Sequence, residues 1–86
     1  MTSMSRRDDE IARANAAELL LRNALLMEAF ETLESTYTAA WKATATDQVD
    51  ERERLFALTT ALQDVRGHIE QIATTGDLAR RQLGIH

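Results

Sequence analysis

Cysteine and proline are both absent from the 86 residues, and each absence removes a class of structure. Without cysteine there is no disulfide framework and no thiolate metal site. Nothing marks an oxidising compartment either, so an intracellular, cytoplasmic location is the default expectation. Without proline no residue locks φ or deletes a backbone donor. Glycine occurs three times, first at Gly67, so a long helix meets no obvious breaker before that point. Aromatic residues are few, one Trp, one Tyr and two Phe, within a 44% hydrophobic fraction. That composition suits a helix-rich interaction protein better than a sheet. Apolar runs such as Leu19-Leu20-Leu21 are far too short to cross a membrane, and the polar, charged stretch from Met1 to Glu10 predicts no secretory signal there.

The formal charge is −4, which argues against a surface suited throughout to phosphate backbones. The distribution is uneven. Residues 18–76 hold ten acids against five bases, whereas residues 1–17 and 77–86 together hold five bases against four acids. A chain of this length has room for one domain, spanning 1–86, and without a staple it buries a modest fraction of its surface, so an oligomer is expected.

The pattern predicts an all-α fold, a long antiparallel helical hairpin of coiled-coil type with a short C-terminal helical turn. Ser5, followed three residues later by Asp8, reads as a capping signal, placing a first helix at about 6–45. Small and β-branched residues at Thr44-Ala45-Thr46 then lead to Asp47 as N-cap, giving a turn at 46–47 and a second helix at 48–75. Gly76 reads as its left-handed C-cap, with Asp77 starting a further short helix at 78–83 that Gly84 stops.

The strongest signal is in the second helix. Leu55, Leu58, Leu62, Val65, Ile69 and Ile72 are spaced three and four alternately, as in an a/d seam. Leu19, Asn23, Leu26, Phe30, Leu33, Tyr37 and Ala40 form the matching seam of the first helix, flanked by Leu20, Met27 and Trp41. Folding at the turn sets Leu55 near Tyr37, Leu62 near Phe30 and Ile72 near Leu19. A first helix apolar over more than one stripe has more to bury than one partner covers. Leu19, Leu20, Asn23, Met27, Phe30, Tyr37 and Trp41 are therefore the candidate oligomer or partner interface.

Several features admit two readings. Asn23 inside an apolar seam either fixes register and oligomer number or lies solvated at an edge. Tyr37 and Trp41 form either an aromatic anchor for a partner or a cover over the turn, Trp41 packing on Leu55 and the Arg52 stem. Arg66 beside the seam is expected to pair with Glu28, Glu31 or Glu34. Arg6, Arg7, Arg13, Arg80 and Arg81 gather at the open end, either as a solvated end balanced by Asp8, Asp9, Glu10 and Asp77, or, repeated in an oligomer, as a basic rim able to contact nucleic acid. Asp50 to Arg54 reads as a solvated first turn with an Asp50–Arg54 pair. Asp64 and His68 share a helix face but lack further metal ligands, and Glu28 with Glu31 lacks a pocket. No catalysis, cofactor or metal is expected.

The stretch from Asn23 to Gly76 contains Leu26-Met27-Glu28-Ala29-Phe30, Ala40-Trp41 and Val65-Arg66-Gly67-His68. It resembles small helical proteins encoded among the packaging and structural genes of tailed phages and gene transfer agents. The hairpin is similar to the oligomerisation core of small terminase subunits, although no helix-turn-helix precedes it. The resemblance implies homo-oligomeric ring assembly, docking on the large terminase subunit and weak, non-specific DNA contact through the Arg-rich end. The alternative is a helical adaptor or inhibitor, such as a head or neck adaptor or a host-protein antagonist, that binds protein without touching DNA.

Overall fold

The hairpin turn is where the backbone reverses. In the computed structural model, which describes residues 6–82 and Gly84, α2 (Ala24–Ala43) ends there and α3 (Val49–Gln82) begins. α1 (Arg6–Leu21) precedes them. The all-α expectation holds. The capping role of Ser5, the end of the last helix at Leu83, and His86 lie outside the described residues.

The chain divides into two compact units, Ala24–Arg66 in the middle and a terminal one made of Met1–Asn23 with Gly67–His86. In the middle unit α2 runs against the first half of α3. Phe30 and Leu55 are its buried side chains, with Leu26, Met27, Tyr37, Leu58 and Leu62 half-buried around them. The periodicity expected for this pair is therefore present up to Leu62. At the next position it fails, since Val65 is 55% exposed while Arg66 is half-buried.

The turn is capped by a residue other than Asp47. The Gln48 carbonyl accepts the Arg52 N–H, the first hydrogen bond of α3, so Gln48 is the N-cap. Its side-chain Oε1 accepts the Ala45 N–H at 2.7 Å and its own N–H bonds back to the Ala45 carbonyl at 3.0 Å. The Gln48 side chain thus closes the turn behind α3 through Ala45, which differs from the bond to a first-turn N–H expected of the Asp47 carboxylate. Asp50 and Glu51 follow in the first turn, where the helix dipole favours acids.

Residues 6–45 do not form one helix. α1 stops at Leu21, the Asn23 N–H bonding to the Leu20 carbonyl three residues back at 3.1 Å, a tightened last turn of the kind that closes helices. Asn23 then takes the N-cap position of α2, a place Asn favours, and neither it nor Leu26 at N3 is free of partners. Asn23 is therefore a cap and not a seam residue. The break also re-phases α1. Its buried face is Ala14 and Ala17, with Ile11 and Leu21 half-buried, while Leu19 is 70% exposed.

In the terminal unit, Ala14 and Ala17 of α1 and Gly76 and Ala79 of α3 are all buried, with Ala14 against Gly76. Gly76 is not a cap, because α3 continues through it to Gln82, taking in residues 78–82 of the separate short helix that was expected. A Cβ at Gly76 would overlap that of Ala14 and stand 2.9 Å from the Glu10 carbonyl oxygen, so the absent side chain is what lets the two backbones approach. Asp77, inside the helix, pairs with Arg81 at 3.0 Å. The left-handed residue is Gly84, φ 73°, whose N–H reaches the Arg81 carbonyl.

Candidate interaction surfaces

At the hairpin turn of the middle unit, Arg52 is held from two sides. Its guanidinium carbon lies 4.1 Å from the centre of the Trp41 ring, within cation–π range. Its Nη1 donates to Thr44 Oγ1 at 2.8 Å, and that hydroxyl donates to the Trp41 carbonyl at 2.6 Å. Indole and guanidinium are thereby fixed together. Trp41 does cover the turn, as one reading had it, but it remains 40% exposed.

Beside it stand two residues that the heptad reading passed over, Val49 and Phe56, the latter 69% exposed. Trp41, Val49, Arg52, Phe56, Thr46 and Glu53 line an open hollow of about 300 Å³, and a smaller one of about 140 Å³ adjoins it between Thr38, Trp41, Phe56 and Thr59. Phe56 sits one place beyond Leu55 and so off the buried seam. Its seven-residue spacing from Val49 was the signal available. Replacing Arg52 with Lys keeps the charge but loses the planar stack and the directed hydrogen bond. The midpoint of urea unfolding should fall by an amount equivalent to about 1 kcal/mol.

On the rim of this turn the Glu51 carboxylate receives two hydrogen bonds from Arg54, at 3.0 and 2.7 Å. The pair is thus Glu51–Arg54, three residues apart, in place of the expected Asp50–Arg54. These bonds hold the Glu51 carboxyl below the usual carboxylate range and push the Arg54 guanidinium up. Any stability from the pair is present above the ordinary carboxylate pKa and is lost as pH falls through the lowered value.

Known proteins offer no frame for these surfaces. No family model matches the chain, and no curated protein or solved structure matches it.

The five arginines expected to form a basic end all belong to the terminal unit, and three of them are engaged. Arg80 is half-buried, bonded to Glu18 at 2.9 Å and to the Asn15 side-chain oxygen. Arg81 pairs with Asp77, and Arg6 with Glu10 at 3.8 Å. Arg7 and Arg13 are exposed and, among the described residues, in no ion pair. Arg80 thus fastens α1 to α3 and offers no free charge. Arg80→Ala should lower stability by about 1 kcal/mol, and a double-mutant cycle with Glu18→Gln should show that the two side chains are coupled.

Arg13 also lines an open groove of about 200 Å³ with Glu10, His68, Gln71, Ile72 and Thr75. Among the described residues no group of three or more His, Asp or Glu is placed to hold a metal ion, and no helix is long and apolar enough to cross a membrane.

Of the other proposed interface residues, Leu20 is exposed beside a shallow hollow it shares with Ile69 and Ile72. Phe30 is a core residue of its own unit, and Met27 and Tyr37 are half-buried. Leu19, Leu20 and Trp41 are exposed, and Leu25, Leu33, Val49, Phe56, Val65 and Leu78 add to the free apolar surface.

Proposed function

We propose that the chain is a non-catalytic assembly component that works as a homo-oligomer. In the setting its sequence resembles, it would be a small-terminase-like subunit that supports DNA packaging by docking the large terminase and weakly contacting DNA. The observation that carries self-association is the balance of apolar surface. Among the described residues five hydrophobic residues are buried, three of them alanines, whereas nine large hydrophobic side chains are 40% or more exposed. A helical chain with so small a core gains by covering those side chains with more protein.

Weak DNA contact, in place of sequence reading, accords with the arginines. Of the five arginines of that end, Arg6, Arg80 and Arg81 already face carboxylates, which leaves Arg7 and Arg13 as its guanidinium groups for phosphate. Two guanidinium groups per chain neutralise few phosphates, which gives a low affinity that added salt abolishes.

A second reading, a helical adaptor or inhibitor that binds a protein and no DNA, is favoured by the exposed Trp41, Val49 and Phe56. Aromatic groups on a rigid turn are typical anchors of protein interfaces.

Light scattering after size exclusion, at two salt concentrations and with or without duplex DNA, separates the readings. A mass several times that of one chain, with DNA retained at low salt and released at high salt, is expected for the packaging component. An oligomer indifferent to DNA removes the nucleic-acid part. A monomer at all concentrations overturns the proposal in favour of the adaptor.

A further inference from the structure

One side of α2 has no cover within its own unit. Leu25, Ala29, Thr32, Thr36, Ala39 and Ala43 recur at spacings of four and three, and all are exposed. Leu25 is 74% exposed, and Leu33 on the flank 40%. With Glu28, Ala29 and Thr32 these leucines line an open groove of about 380 Å³. At 100° per residue this face lies roughly 120° around the helix from the one that buries Phe30, so α3, packed on the latter, leaves it free. No charged residue falls on the arc between the two faces. On the opposite rim stand Glu28, Ser35 and Lys42, one heptad apart in turn. Among the described residues neither Glu28 nor Lys42 makes an ion pair in its own chain.

We propose that this face binds a second copy of the chain, α2 lying antiparallel on α2 about a two-fold axis near Leu33 and Ser35; the inference rests on the self-association reading. In that register Leu25 falls against Ala43 of the second copy, Ala29 against Ala39 and Thr32 against Thr36. The bulky end of the face meets the small end, as close packing requires. On one flank Leu33 meets Leu33 of the second copy. On the other Ser35 meets Ser35, and Glu28 faces Lys42 at both ends, because in antiparallel pairs the same flanking heptad position faces itself. A parallel pairing would stack Leu25 on Leu25 at one end and Ala43 on Ala43 at the other. It would also leave both charges unanswered, so size and charge select the same orientation.

The chain has no cysteine, which makes single-cysteine variants of the full chain clean reporters. With a short bismaleimide, Ser35→Cys is expected to cross-link into dimers, while Glu34→Cys, its neighbour on the opposite face, is not. Glu28→Lys and Lys42→Glu should each weaken association about tenfold, since each replaces two attractions by two repulsions, and the double exchange should restore it to within about threefold. Sedimentation over a concentration series reads association, and circular dichroism confirms that each variant remains helical. An oligomer whose association ignores the charge reversals, and whose Ser35→Cys links no better than Glu34→Cys, overturns this interface while self-association stands. A chain that stays monomeric overturns both and leaves the face to a partner of different sequence.

Discussion

Gly76→Ala is expected to destabilise the protein even though alanine is the better helix former. The new methyl would overlap the Ala14 Cβ and lie 2.9 Å from the Glu10 carbonyl oxygen and 3.3 Å from the Ala14 Cα. Two of those three obstacles are backbone atoms, which cannot swing aside as a flexible side chain would. Overpacking of this kind costs about 1–3 kcal/mol, and the strained site lies where α1 meets α3. The gain in helix propensity, about 1 kcal/mol, offsets part of it, and the net sign stays negative. Ala14→Gly in the same chain removes one obstacle and should recover part of the loss. Gly67→Ala is the control of opposite sign. Gly67 is exposed in α3 with nothing within 4 Å of a new Cβ, so the substitution should stabilise by about 0.5–1 kcal/mol. Urea unfolding followed by circular dichroism measures all three.

The same comparison explains which parts of the fold were legible. The seam of α3 from Leu55 to Leu62 could be read because large aliphatic residues recur without interruption, and they do face α2. Gly76 was misread because one residue type serves two purposes, ending a helix through positive φ or admitting a neighbour through the missing Cβ. Only the packing partner, Ala14, distinguishes them. Ala14 and Ala17 drew no notice as core residues because alanine occurs as readily on a helix surface as inside. The break at Arg22 and Asn23 lacks both Gly and Pro, and Asn23 happens to fall where a continuous heptad places a seam position. A cap and a buried polar residue are then the same letter in the same place. Of the candidate interaction surfaces, Trp41 could be named from its chemistry, whereas Val49 and Phe56 lie one residue from a seam to which Leu55 belongs.

Phe30→Ala should be the most damaging single truncation in the middle unit. Phe30 is 7% exposed, and Leu55 is the other buried side chain there. Phenylalanine-to-alanine changes in a core cost about 3–5 kcal/mol, made up of lost transfer free energy and the cavity left behind. Domains of this size have little margin, so that loss is a large part of the whole. The expected result is a broad, early thermal transition with reduced helicity at 25 °C, and Leu55→Ala should do nearly as much. Phe56→Ala, one position along and exposed, should shift stability by no more than about 0.5 kcal/mol. If Phe30→Ala unfolded no more easily than Phe56→Ala, the packing described for α2 and α3 would be wrong.

The uninterrupted course of α3 also constrains how the chain can change length over evolutionary time. One residue added within that helix between Leu55 and Leu62, or between Gly76 and Ala79, turns the later side chains of the same unit by about 100° and takes them off its buried face. The same insertion at Arg22-Asn23 or between Thr44 and Gln48 falls where no helical phase has to be kept. Descendants of this sequence should therefore differ in length at those two joints and keep fixed residue counts from Leu55 to Leu62 and from Gly76 to Ala79.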